Sequence, residues 1–343
     1  MRERPQASGL GALGPVLLVL VVVAVACGGG DVREIRIPRG AGGVGFLPLL
    51  VMERHELIEK HAAAAGVADL QVRWLNLGGP AVVNDALLSD SADFVAAGPP
   101  AFITLWDRTR GSLGVRGVAA MTSLPMYLNA RGDHLTRLDD FGPQDKIAVT
   151  AVKVSIPAII MQMYARERYG AAETTRFDRF TVSMTHPDAV VALLAGSGAV
   201  AAHFASPPFH QRELQDPSVR TLLTSDEVMG GSTTFTMLST TAAFREREPA
   251  VYAAVLAALG EANAMIVADP RAAAQLLLGT TSESAFTLDE MAEVVSDPAV
   301  KFTTTPEHVM KYAEFMREVG SITTRPEAWT DLFFPEIHEA PGS

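Results

Sequence analysis

The stretch Gly40-Ala41-Gly42-Gly43-Val44-Gly45 has the spacing G-x-G-x-x-G. Such a loop lets a ligand approach bare backbone, and the helix that follows offers unpaired N–H groups and a positive dipole end. A dinucleotide is one occupant that this spacing suggests. Against it, the segment that would hold the ribose reads Trp74-Leu75-Asn76 and has no acidic residue. Small residues, proline and an expected helix start come together again at Leu77-Gly78-Gly79-Pro80, at Gly98-Pro99-Pro100 and at Val154-Ser155-Ile156-Pro157. In an α/β sheet such loops lie at the carboxyl ends of the strands, so several helix starts are expected to converge on one ligand cleft.

Signs of catalysis are weak. The chain has no G-x-S-x-G elbow and no Walker A sequence, and His55-Glu56 is followed by His61, which is not the H-E-x-x-H of a zinc site. The single cysteine, Cys27, directly follows an export signal. No catalytic residue, metal ligand or cofactor is expected, and the chain reads as a non-enzyme.

The elements that position these loops follow from composition and pattern. With 343 residues, 48% hydrophobic and 20% charged, the chain is neither disordered nor a disulfide scaffold, and its length suits about two domains. It carries 28 Lys+Arg against 39 Asp+Glu, a net charge of -11, with no basic run, which argues against a nucleic-acid partner. Residues 1–26 are a signal peptide: Arg2 and Arg4, then uninterrupted apolar residues from Val16 to Ala26, too few to span a bilayer. Its removal leaves 26 basic residues (28 minus 2) and 38 acidic ones (39 minus 1), a charge of -12.

Short apolar strands alternate with amphipathic helices after residue 32. Strands are expected at 33–38, 70–75, 93–96, 115–121 and 146–150, and helices at 46–60, 80–88, 99–108 and 156–169. The chain also repeats itself: Ala86-Leu87-Leu88-Ser89-Asp90-Ser91-Ala92 leads through a strand to Gly98-Pro99-Pro100, and Ala192-Leu193-Leu194-Ala195-Gly196-Ser197-Gly198 leads through one to Ser206-Pro207-Pro208. In this alignment Ala199 stands where the first copy has Asp93. The last third is expected to be helical, with Tyr252, Val255, Leu256, Leu259 and Ile266 on one face, a capping box at Thr287-x-x-Glu290 and a helix start at Thr305-Pro306.

These motifs, in this order, resemble the substrate-binding proteins of ABC importers of the nitrate/sulfonate/taurine and hydroxymethylpyrimidine-precursor type. The resemblance rests on the glycine loop with Phe46-Leu47-Pro48-Leu49-Leu50-Val51, on Gly78-Gly79, Ala86-Leu87-Leu88 and Ala92-Asp93-Phe94, and on Lys146-Ile147-Ala148-Val149 and Leu193-Leu194-Ala195-Gly196. It implies an α/β fold of two Rossmann-like lobes with mostly parallel sheets around a ligand cleft, the periplasmic binding protein type II architecture. Lobe one would comprise residues 33–122 and 233–343, and lobe two residues 123–232, with crossings near Ser123–Asn129 and Thr233–Leu238. Ala24-Val25-Ala26-Cys27 is similar to a bacterial lipoprotein signal, in which Cys27 is lipidated and residues 27–32 form a tether; free secretion with an incidental cysteine is the alternative.

The implied function is an extracytoplasmic, membrane-anchored, monomeric receptor that delivers a small organic, anionic ligand to a permease and its ATPase. A pyrimidine-precursor binder or a thiamine-precursor-related enzyme of the same fold is the alternative. Expected ligand contacts are Gly43, Gly45, Phe46, Gly79, Pro80, Gly98 and Pro99 in lobe one, and Val154, Ser155, His203, Phe204 and Ser206 in lobe two. His203 could equally be a satisfied buried histidine. Arg39 and Lys153 are candidate anion partners, and Phe46, Phe102, Tyr127 and Phe204 a candidate aromatic wall.

Overall fold

The computed structural model describes residues 34–77, 79–279 and 286–343, with the side chain of Pro80 outside it. The signal segment, Cys27, the tether and Gly78 fall outside the described residues.

The chain opens with β1 (Glu34–Pro38), α1 (Leu47–Arg54) and α2 (Leu57–Ala64), then β2 (Gln71–Leu75), α3 (Pro80–Leu88), β3 (Phe94–Ala97), α4 (Pro99–Thr109) and β4 (Arg116–Ser123). The single helix expected over 46–60 is two, because Glu56 adopts a left-handed conformation at φ 48° and breaks the ladder. Next come β5 (Tyr127–Arg131), β6 (Ile147–Val149), α5 (Ile156–Tyr169), β7 (Thr181–Ser183), α6 (His186–Leu194), β8 (Ala202–Ala205), α7 (Phe209–Leu214), β9 (Val219–Thr224) and α8 (Ser225–Met229). The chain ends with β10 (Thr234–Thr240), α9 (Ala242–Arg247), α10 (Pro249–Ala268), α11 (Pro270–Leu278), α12 (Leu288–Val295), β11 (Lys301–Phe302) and α13 (Val309–Glu318).

The strands form a parallel pair β1-β2, a four-stranded sheet β11-β4-β10-β3 and a five-stranded sheet β7-β6-β8-β5-β9. Among the described strands, β1-β2, β6-β7 and β6-β8 pair in parallel, with helices carrying the chain between them. The sheets are therefore mixed and less parallel than expected. Strand β10 returns late in the chain and pairs antiparallel with β3 and β4, and β5 pairs antiparallel with β8 and β9.

The internal repeat is real, with its register two residues from the sequence alignment. Asp93 N donates to Arg36 O in β1, and the matching bond runs from Ala201 N to Lys146 O beside β6. Ala201, not Ala199, is thus the counterpart of Asp93, and the extra two residues lie in the turn after α6. Asp93 accepts from the Arg36 guanidinium at 2.9 and 3.0 Å, an ion pair the second copy cannot make.

Among the described residues α10 is the one helix long and apolar enough to cross a membrane by length and composition. Half of it is buried against protein, with Tyr252, Val255, Leu259 and Ile266 in the core. Glu261 near its middle meets Lys60 at 2.6 Å and His61 at 2.7 Å on α2. The capping box at Thr287 and Glu290 forms as expected. Helix α13 begins three residues after Pro306, because Glu307 N donates to Thr234 Oγ1 at 2.8 Å and ties this stretch to β10.

Candidate functional site

The starts of α4, α5 and α6 meet in a cleft with about 620 Å³ of empty space, its open mouth included. Its walls are apolar: Phe46, Val83, Met126, Ile156 and Phe235, with Ala96, Ala97 and Gly98 at the end of β3. Thr150, Ser155, Thr236 and His186 are its polar side chains. Residues from the two repeats touch here, since a Cβ on Gly98 would come within 2.9 Å of Ile156 Cδ1.

The helix starts supply backbone donors, fewer than their number suggests. Proline occupies one or both of the first two positions of α4, α5 and α6, and proline has no N–H. Helix geometry leaves the N–H groups of Ala101, Ile156 and Ala158 outside the ladder, facing the same end as the cleft. Such donors hold an anionic oxygen through local dipoles without a full positive charge.

The glycine loop packs against this cleft through its missing side chains. A Cβ on Gly45 would lie 2.1 Å from Phe235 Cε1, and Gly45 O accepts from Thr236 Oγ1 at 2.7 Å and Thr122 Oγ1 at 3.1 Å. Gly45 is a glycine because a ring fills the space, and its carbonyl is committed to two buried threonines. Gly43, at φ 78°, faces the Pro207-Pro208-Phe209 turn, and Val44 N donates to Pro207 O at 3.3 Å. Beside it lies a second, open cavity with about 940 Å³ of empty space, its mouth included, lined by Arg39, Gly43, Glu53, Asn76, Pro187 and Phe209 among others.

Behind His186 runs a line of buried polar groups. His186 Nδ1 is 2.8 Å from His203 Nε2, His203 Nδ1 is 2.5 Å from Glu213 Oε1, and Glu213 Oε2 accepts from Asn129 Nδ2 at 2.7 Å. His186 Nε2 meets Ser206 Oγ at 3.4 Å. Burial pushes the Glu213 carboxyl up to about 8 and holds His203 down to about 3. Burial, with His203 beside it, also takes His186 well below the usual imidazole range.

No protein-family model and no curated protein matches the sequence. Solved structures do. The alkanesulfonate-binding protein SsuA from Xanthomonas axonopodis pv. citri, bound to MOPS, superposes with a TM-score of 0.65 at 15% identity, over 86% of this chain and 96% of that one. The nitrate-binding protein NrtA from Synechocystis gives 0.65 at 14% identity, over 88% and 84%. A Candida albicans protein described as having the generic periplasmic binding protein structural fold gives 0.63 at 12% identity, over 88% and 96%. This chain has the periplasmic binding protein fold.

Within that fold the expected contact residues separate. Phe46, Gly98, Val154 and Ser155 line the cleft, and Gly43 lines the neighbouring cavity. Gly45 and Pro99 are buried behind the wall, Gly79 caps α3 with its Cβ position 3.6 Å from Thr150 O, and Pro80 starts that helix. Ser155 Oγ donates to Ala151 O at 2.5 Å, holding the loop before α5. His203, Phe204 and Ser206 are buried in the layer behind His186 and line neither cavity.

The candidate ion partners are engaged or distant. Arg39 is bidentate on Glu53 and donates to Asn76 Oδ1 at 3.0 Å, and Lys153 is exposed and lines neither cavity. Of the candidate aromatic wall only Phe46 reaches the cleft. Phe102 packs on Phe333, Tyr127 stacks on His210 with centroids 3.6 Å apart, and Phe204 is core. Sequence reasoning missed His186, Met126 and Phe235. The signal for His186 was present: Thr185-His186-Pro187 is another strand-to-helix turn with proline near the helix start.

Proposed function

We propose that this protein is the extracytoplasmic receptor of an ABC importer, binding a small organic anion and delivering it to a permease and ATPase. One observation carries the reading: apolar walls and converging helix starts enclose a space whose only titratable lining side chain, among the described residues, is His186. An alkyl or ring body suits the walls, and a sulfonate or carboxylate head suits the backbone donors. Nitrate offers such walls no body to bury, so organic anions are favoured over it. A neighbour of the same fold binds an alkanesulfonate, which supports this ligand class.

A binding role is favoured over hydrolysis. Ser206, His186, His203 and Glu213 have the residue types of a nucleophilic relay, yet Ser206 is 2% exposed, lies outside the cleft lining and meets His186 at a long 3.4 Å. Residues 33–122 with 233–343, and residues 123–232, act as two lobes that close on the ligand, with hinges at the passages between β4 and β5 and before β10. The protein acts as a monomer, held at the outer face of the membrane through lipid on Cys27.

Thermal unfolding of the full chain with MOPS, methanesulfonate, benzoate, nitrate, taurine and a hydroxymethylpyrimidine tests the proposal. At 100 times its Kd a ligand adds about 2.7 kcal/mol of stability, enough to raise Tm by a few degrees. A rise confined to organic anions supports the reading. A rise with the pyrimidine alone selects a precursor binder, and no rise with any compound overturns the ligand class.

A further inference from the structure

We infer that His186, in the cleft wall, is an Nε2–H donor whose tautomer is fixed through His203 by Glu213, and that an accepting oxygen of the ligand replaces its long contact with Ser206 Oγ. The inference deepens the binding role proposed above and rests on it for the ligand alone. The geometry is a line of two contacts from the interior carboxyl of Glu213 through His203 to His186 in the cleft wall, at 2.5 and 2.8 Å, with His186 Nε2 at a long 3.4 Å from the buried Ser206 Oγ.

A neutral imidazole has one N–H and one accepting nitrogen, so the direction of the first hydrogen bond sets all the others. If Glu213 Oε1 carries a proton and donates to His203 Nδ1, then His203 Nε2–H donates to His186 Nδ1 and His186 is left with Nε2–H. If Glu213 is ionised and accepts, both rings reverse, and His186 Nε2 carries a lone pair.

The surroundings choose the first arrangement. Thr221 Oγ1 donates to Asn129 Oδ1 at 2.8 Å, which orients the Asn129 amide so that its NH₂ meets Glu213 Oε2. That oxygen is then the carbonyl of an acid, and Oε1 is the one free to hold a proton. Glu213 is fully buried, and among the described residues no lysine or arginine side chain bonds to it.

The titratable groups on the elements around it do not compensate a charge. On α7, His210 lies across Asn129 and under the Tyr127 ring of β5, and burial holds it down to about 4. Arg131 of β5 is paired with Asp216 at 2.7 Å, Arg220 of β9 with Asp133 at 2.7 Å, and Asp188 of α6 bonds Thr185 at 2.6 Å. A buried carboxyl without a cation takes a proton rather than remain charged. The relay is then uncharged near neutral pH, and its donors run in one direction, from Glu213 through His203 to His186.

The test is nitrogen NMR of histidine side chains in the full chain at pH 6.5 without ligand, comparing wild type with Glu213→Gln and Glu213→Leu. Gln can donate to His203 and accept from Asn129, so it should leave His186 protonated at Nε2 with a pyridine-type Nδ1, as in wild type. Leu removes the donor and should give mixed tautomers. Raising the pH past 8 should reverse the His186 tautomer in wild type and leave Glu213→Gln unchanged. A wild-type His186 protonated at Nδ1, or an imidazolium at either ring, overturns the inference. So does a Glu213→Gln protein that follows the wild-type pH profile, which decides the matter if Glu213→Leu does not fold. With MOPS as probe, His186→Phe should weaken binding at least tenfold, and unchanged affinity would remove His186 as the donor. Failure of MOPS to bind any form counts against the proposed ligand, while the tautomer measurement still decides the relay.

Discussion

The ring of Phe235 occupies the space in which a side chain at Gly45 would begin, 2.1 Å from the Cβ position. This contact seats the glycine loop on β10, and the same ring forms a wall of the cleft, edge-on to Phe46 at 6.3 Å. Gly45→Ala should therefore cost about 1–3 kcal/mol of stability through overpacking. Combined with Phe235→Leu it should lose less than the sum of the two single changes, because the smaller side chain makes room. Urea midpoints of the three variants give the comparison, and strict additivity would mean that the two residues do not compete for space.

Arg39 is expected to be a spectator. It lies beside the second cavity, but its guanidinium is bidentate on Glu53 and partly exposed. Arg39→Ala should change stability by no more than about 1 kcal/mol, as for other exposed pairs, and should leave anion affinity within a few-fold of wild type. A loss of affinity of tenfold or more would make Arg39 a ligand residue.

How much of this was legible beforehand depended on whether the signal was local. Helices α3 and α5 begin where Pro80 and Ile156-Pro157 set them, since proline near a helix start is favoured wherever the chain later packs. The break at Glu56 was hidden, because a left-handed glutamate leaves no compositional trace. So was the delay of α13 to Val309, which a long-range bond to Thr234 imposes. At the site, Phe46, Gly98, Val154 and Ser155 were readable from the loop pattern. Phe235 was not, because β10 reaches the cleft only through its pairing with strands far earlier in the sequence. His203 was visible as a histidine at a strand end, but only the three-dimensional arrangement places His186 between it and the cleft.

Stability should depend on pH with two opposite contributions from the buried cluster. His203 and His210 take protons near pH 6.5 when unfolded and only near about 3 and about 4 when folded, so the unfolded state binds more protons and stability falls as pH drops below 6.5. Glu213 is protonated below about 8 when folded and below about 4.5 when unfolded. Its contribution is fully present below pH 4.5 and is lost as pH rises through 8. Between pH 6.5 and 8 Glu213 acts without opposition from these histidines, and stability should fall by at most about 1.4 kcal/mol per pH unit. Glu213→Gln should flatten that limb. Urea unfolding at pH 6.5 and 8 checks this, and equal slopes in the two proteins would contradict it.

Lipidation is expected to decide where the protein resides. The full-length chain expressed in a bacterium should sediment with membranes, and Cys27→Ala should move it to the soluble extracytoplasmic fraction. Mass spectrometry of the N-terminal peptide should find acyl chains on Cys27, more than one being needed for stable anchoring. An unmodified Cys27 in a soluble protein would favour free secretion.

The central claim is that the cleft at the starts of α4, α5 and α6 holds an organic anion. Titration calorimetry of MOPS into the full chain and into Ile156→Asp tests it most directly. A carboxylate at position 156 would repel an anion in the cleft that Ile156 lines, and because Ile156 is itself buried, circular dichroism of the variant first establishes that it is folded. The prediction is saturable one-to-one binding to wild type, weakened about tenfold or more in the variant. Equal affinity in both proteins, or no saturable heat from any organic anion with the chain folded, would contradict it.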